Sequence, residues 1–288
     1  MSDRGKEQKD SSLLLGVMGD PILHSKSPAM HMAALKAAGI AGTYVPLHVT
    51  ENHLKDAVEG VRALGFRGVN VTVPHKVEVM KYLDAVDEGA RYIGAVNTIV
   101  NDGGRLTGYN TDGIGYIRSL KEETISDLRG KNVLVLGSGG AARGIIYALL
   151  KECPAKLTVA NRTASKALEL AAEWSHLGNI EGCGIDDVCH VAAEIDLLIN
   201  TTSVGMYPRI EECPIAPHLI PEGIIVSDLI YNPLTTELLR QAELKGCTTH
   251  NGLGMFVYQG GYAFEYWTGE KAPSAVMREA VTGSLSVK

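Results

Sequence analysis

The chain reads as an α/β protein in two domains, an N-terminal α/β domain and a doubly wound, Rossmann-type domain, followed by a C-terminal helix packing back on the first. Strand-like and helix-like runs alternate along the whole sequence, the pattern of a sheet with helices on its faces. A fresh βαβ unit opens at Lys131, after a polar stretch. A chain of 288 residues is long for one core and ample for two.

The first domain opens with an apolar strand at Leu13–Gly19 and a helix at 27–38, for which Ser27 followed by Pro28 offers an N-cap and first-turn pair. A strand at 43–49, a helix at 52–64 and a strand at 69–73 follow, then short strands at 98–100 and 105–109. The change of domain is expected near 112–130, where 119–130 is polar and charged. Asn132-Val-Leu-Val-Leu136, a glycine cluster, a helix and Leu157-Thr-Val-Ala160 then form the βαβ start, with strands apolar on both faces and so buried on both. Leu197–Asn200 and 224–228 are further strands, and 253–267 is an apolar, aromatic final helix. The expected division is a flexible leader at 1–12, a substrate-binding and catalytic domain at 13–112, a nucleotide-binding domain at 113–250, and a returning helical segment at 251–288.

Composition narrows the class of partner. A net charge of −6 with no basic stripe speaks against nucleic acid and anionic membrane. The polar start lacks the apolar core of a secretory signal, and no run is long enough to span a bilayer. Five cysteines with no CxxC pair suit free thiols in a reducing cytoplasm, and no metal site is expected.

Gly137-Ser138-Gly139-Gly140-Ala141-Ala142 follows an apolar strand and precedes a helix. In a dinucleotide site the first glycine makes the tight turn and Gly139 lets backbone approach a pyrophosphate. A small residue at 142 lets helix and strand pack closely, with the helix N-terminus facing the phosphates. The next strand ends in Asn161-Arg162-Thr163, with Lys166 beyond, and no acid stands where a ribose 2′-hydroxyl would be read. Arg162 can instead fork onto a 2′-phosphate, and Lys166 adds charge, so NADP is the expected cofactor; a solvated Arg162 at a helix start is the plain alternative.

In the first domain, Asn70-Val-Thr72-Val-Pro-His-Lys76 ends a strand with polar groups suited to hydroxyl ligands, and alternation puts Val71 and Val73 on one face. Lys76 reads equally as a surface lysine after a turn. Asp112 reads equally as a helix N-cap, and Asn97 as a strand-end residue. Ser25 and Ser27 place two hydroxyls at a helix start, where a carboxylate can bind. Gln259 is a polar residue within an apolar helix, which needs a partner in a substrate or in the backbone.

These fragments occur in one order: His24-Ser-Lys-Ser-Pro28, Asn70 to Lys76, Gly94-Ala-Val-Asn-Thr98, Tyr109-Asn-Thr-Asp-Gly113, Gly137 to Ala142, Asn161-Arg-Thr163, Asn200-Thr-Thr-Ser203, Tyr231-Asn-Pro233 and Gln259-Gly260. Together they resemble the shikimate dehydrogenase family from the first strand to the last helix. The resemblance implies reversible NADPH-dependent reduction of 3-dehydroshikimate to shikimate, a step of aromatic amino-acid and chorismate biosynthesis. It makes Lys76 and Asp112 the catalytic pair. Ser25 and Ser27 would hold the substrate carboxylate with Tyr231 beside them, while Asn70, Thr72, Asn97 and Gln259 would meet the ring and its hydroxyls. Thr201, Ser203, Met206 and Gly252 complete the implied cofactor set, with core filling the alternative for Met206. Where this chain has Lys166, many NADP members carry a second arginine, so the preference for NADP is expected to be softer. The rivals are an NAD-preferring quinate/shikimate dehydrogenase and a non-catalytic dinucleotide sensor. A monomer or a homodimer would serve equally.

Overall fold

The computed structural model describes residues 12–286, so nearly all of the expected leader lies outside the described residues. The chain divides into two compact units: Met1–Thr111 with Gly260–Lys288, and Asp112–Gln259.

The first unit contains β1 (Leu13–Gly19), α1 (Ser27–Ala37), β2 (Gly42–His48), α2 (Leu54–Ala63), β3 (Gly68–Val71), β4 (Ala85–Val86), α3 (Glu88–Ile93), β5 (Thr98–Asp102) and β6 (Arg105–Tyr109). They form one sheet in the order β2-β1-β3-β5-β6-β4. β1 is parallel to both β2 and β3, whereas β5 and β6 are an antiparallel hairpin. Its two-residue turn is Gly103-Gly104, with φ of 61° and 96°, the left-handed pair a tight hairpin requires. Met18, Val58, Val69, Val79, Ile99 and Leu106 build a core against α2.

The second unit contains α4 (Asp112–Glu123), β7 (Asn132–Leu136), α5 (Gly140–Lys151), β8 (Lys156–Asn161), α6 (Ala164–Trp174), β9 (Ile180–Gly184), β10 (Leu197–Asn200), β11 (Ile225–Asp228), α7 (Glu237–Leu244) and β12 (Thr248–His250). Its sheet is parallel throughout, in the order β12-β11-β10-β7-β8-β9. Strand order reverses between β7 and β10, and in such sheets ligands sit outside the carboxyl ends at that reversal. α8 (Leu253–Thr268) contains the division between the units, after Gln259. α9 (Ser274–Ser286) follows and packs on α1 within the first unit.

Several sequence expectations change. The polar stretch 119–130 begins inside a helix, because α4 runs to Glu123 and buries Ser119 and Leu120. The first division falls at Asp112, within the expected 112–130, and the second at Gly260, inside α8. The final helix is α9, not the aromatic segment. Ser27 is the first helical residue rather than the cap: Lys26 holds the cap position, and Ser25 Oγ accepts from the Ser27 N–H at 3.3 Å. β3 ends at Val71, so the alternation fails beyond it, with Val71 1% and Val73 62% exposed.

Candidate active site

The first unit joins two of the expected substrate residues, Asn70 and Asn97, in one hydrogen-bonded frame. Asn70, buried on β3, accepts from the Tyr44 phenol at Oδ1 (2.7 Å). Its Nδ2 donates to the Asn97 carbonyl and to Thr98 Oγ1, both at 3.1 Å. Asn97 in turn donates from Nδ2 to Thr111 Oγ1 and accepts the Thr111 N–H at Oδ1, each at 2.9 Å. Buried polar groups so fully paired are rigid, because each broken link would leave a desolvated donor or acceptor.

Backbone contacts tie the remaining residues to this frame. The Val96 N–H donates to the Lys76 carbonyl at 2.8 Å, and the Val71 N–H to the Asn97 carbonyl at 2.8 Å. His75, buried and bonded through Nε2 to the Val49 carbonyl at 2.6 Å, anchors the turn before Lys76. Thr72 donates its N–H to Met18 O, and a side chain at Gly19 would come within 2.5 Å of the Thr72 methyl. Gly19 therefore makes the room that Thr72 occupies.

In the second unit, Asp112 opens α4 and is 6% exposed. Gly115, one turn later on the same face, has α8 so close that a Cβ would lie 2.6 Å from the Gln259 backbone nitrogen. That packing brings Gln259 to the helix carrying Asp112. The Gln259 amide donates to the Phe256 carbonyl at 2.8 Å, the backbone partner left open by the sequence. Tyr231 stacks on Phe256 at 4.5 Å, and burial raises its pKa, so the phenol stays a neutral donor. Lys76 and Asp112 belong to different units.

The glycine motif has the shape its spacing implies. Gly137 has φ of 105°, and a Cβ there would lie 2.7 Å from Thr201 Oγ1. Gly139 and Gly140 face open space, and Gly139 begins α5 without a side-chain cap, leaving first-turn N–H groups for a phosphate. Ala142 is fully buried where helix meets strand, and Ser138 and Ala141 are partly exposed. Asn161 donates to the Thr163 carbonyl at 3.0 Å, shaping a loop from which Arg162, Thr163 and Lys166 are exposed. Thr201 Oγ1 donates to Leu136 O at 2.6 Å, pinning the loop after β10 to the end of β7. Ser203 is exposed, and Met206 is 46% exposed, which rules out core filling. Gly252 lies so near the Leu229 carbonyl that a Cβ would sit 2.0 Å away.

Sequence reasoning missed Tyr44 and Asp228. Tyr44 sits in an ordinary strand pattern, and nothing local marks its partner. Asp228 had a signal, a carboxylate closing an apolar strand just before Tyr231-Asn-Pro233. It is fully buried and accepts from Asn200 Nδ2 at 3.1 Å, the Ile230 N–H at 3.0 Å and Thr236 Oγ1 at 2.8 Å. Burial nonetheless pushes it up to about 6.

Three family models match in succession: the shikimate dehydrogenase substrate binding domain over residues 17–99, shikimate/quinate 5-dehydrogenase over 119–212, and the shikimate 5′-dehydrogenase C-terminal domain over 252–282. The shikimate dehydrogenase (NADP(+)) of Geobacillus kaustophilus is 47% identical over 94% of this chain and 98% of its own. The chain belongs to the shikimate dehydrogenase family. Its fold matches the Thermus thermophilus shikimate 5-dehydrogenase crystallised with NADP(H) and shikimate (TM-score 0.87, 38% identity, 94% of this chain and 99% of that one). It also matches quinate dehydrogenase from Corynebacterium glutamicum in complex with NAD (TM-score 0.88, 33% identity, 94% and 99%), so the fold alone does not choose between the two substrates. All five cysteines are free thiols, and among the described residues no helix is long and apolar enough to cross a membrane.

Proposed function

We propose that the chain catalyses the reversible reduction of 3-dehydroshikimate to shikimate with NADPH. The observation that carries this reading is the buried frame from Tyr44 through Asn70 and Asn97 to Thr111, which aligns hydroxyl and amide groups beside the turn that presents Lys76. Ser25 and Ser27 take the substrate carboxylate at the start of α1, with the neutral Tyr231 phenol as a further donor. Asn97, Thr72 and Gln259 hold the ring hydroxyls. The Asn70 amide protons are already used, so Asn70 acts through Oδ1 or by holding Asn97 in place.

The residues of the second unit fit NADP: open glycines at a helix start, no acid at the end of β8, and Arg162 with Lys166 exposed to meet a 2′-phosphate. Bound NADPH supplies the hydride to the ketone carbon. Lys76 stabilises the charge growing on the ketone oxygen and passes it a proton, and Asp112 orients the ammonium and shares a substrate hydroxyl. In the oxidation direction the same lysine, neutral, takes the proton from the alcohol. The enzyme works in the cytoplasm, as one chain or a homodimer.

Mixing the protein with shikimate and NADP and following nicotinamide absorbance tests the reading. Growth of signal with that pair is expected. Signal only with NAD and quinate moves the assignment to that substrate, and none with any pair leaves a dinucleotide sensor.

A further inference from the structure

We infer that Tyr44 is a positioning residue of the substrate pocket, orienting Asn70 through its phenol oxygen. The inference rests on the assignment of the first unit to shikimate. Tyr44 stands on the edge strand β2, aligned with Leu15 of β1, and its ring reaches across β1 to Asn70 on β3. It is 3% exposed, so its hydroxyl is committed to Asn70 rather than to water.

The ring is held on two sides. His31 stacks on it with centroids 4.4 Å apart and planes 9° apart, and Trp267 closes in at 6.1 Å. Ser27 and His31 are four residues apart on α1 and share a face, so the helix that clamps the ring also carries a hydroxyl proposed for the substrate carboxylate. His31 is wholly buried, and neither ring nitrogen has a hydrogen-bond partner among the described residues. Burial lowers its pKa to about 3, so the stack is between neutral rings at working pH. A buried imidazole that bonds to nothing contributes here through its face, against Tyr44.

The bonding roles follow from the atoms available. Asn70 Oδ1 can only accept, so Tyr44 donates to it. That donation fixes which way the Asn70 amide points, and with it both bonds from Nδ2 to Asn97 and Thr98. Loss of the phenol oxygen releases the asparagine that holds Asn97, the residue proposed for the ring hydroxyls.

The test is Tyr44→Phe, which keeps the stacked ring. KM for shikimate is expected to rise about tenfold, with kcat within about threefold and KM for NADP unchanged. A loss of packing alone would lower the melting temperature and leave KM for shikimate alone, and that result overturns the inference. With Asn97→Ala, the two effects on KM are expected to be less than additive, since Tyr44 acts through the frame that holds Asn97; full additivity also overturns it. Should Tyr44→Phe not fold, His31→Leu, which removes the stack but keeps volume, decides by the same KM ratio. A wild-type protein inactive with shikimate would instead defeat the proposed function.

Discussion

Asn200 and Asp228 close the ends of two adjacent strands with one hydrogen bond, 3.1 Å from amide nitrogen to carboxylate oxygen. The bond belongs to a set of three that hold a buried carboxyl just before the loop carrying Tyr231. Desolvation outweighs those bonds, and the group titrates at about 6 rather than 3.8.

A carboxyl with a raised native pKa binds its proton more tightly folded than unfolded. The stability it contributes is fully present below about pH 4 and is lost as pH rises through about 6, on the order of 3 kcal/mol in all. Asp228→Asn keeps the acceptor for Asn200 and removes the titration. Urea unfolding from pH 4 to 7 is expected to show the wild type losing stability relative to the variant. Parallel curves would return Asp228 to an ordinary pKa.

Lys76→Ala is expected to cut turnover by about two orders of magnitude or more, in line with loss of an acid–base group. Binding of NADPH, followed by its fluorescence, is expected to survive because the residues proposed for the cofactor lie on another unit of the chain. Near-normal turnover would remove Lys76 from the chemistry.

Arg162→Ala is expected to weaken NADP by about 1.5–3 kcal/mol, the scale of a charged hydrogen bond, while sparing NAD. The arginine is exposed, so the melting temperature should hold. Equal losses for both cofactors, measured by titration, would show that it does not read the phosphate.

Gly252→Ala sets a Cβ 2.0 Å from a backbone carbonyl, which cannot swing aside as a flexible side chain would. The loop after β12 must shift, at a cost of about 2 kcal/mol or more. Scanning calorimetry should find a lower melting temperature even without cofactor. An unchanged one would mean the loop adapts freely.

Much of this was legible in the sequence because its signals are local. The apolar runs at Val133–Leu136 and Leu197–Asn200 announce buried parallel strands, and Gly137 to Ala142 carries turn, approach and packing in six neighbours. The misreadings have physical causes. α4 turns Arg118, Lys121 and Glu122 outward, so the end of a helix that buries Ser119 and Leu120 reads as a polar, charged stretch. Val73 continues an alternation that the backbone abandons after Val71. Tyr44 was invisible for a different reason: its partner Asn70 is 26 positions away, and only the parallel register of β1 with β2 and β3 brings them together.

The run from Arg162 into the first turn of α6 at Lys166 is largely exposed, whereas the strand before it is buried. If the proposed reading of the 2′-phosphate holds, cofactor choice rests on residues whose exchange barely touches folding. A lineage could then drift between phosphorylated and unphosphorylated dinucleotides through a few surface substitutions, while the glycine turn keeps its close approach to Thr201.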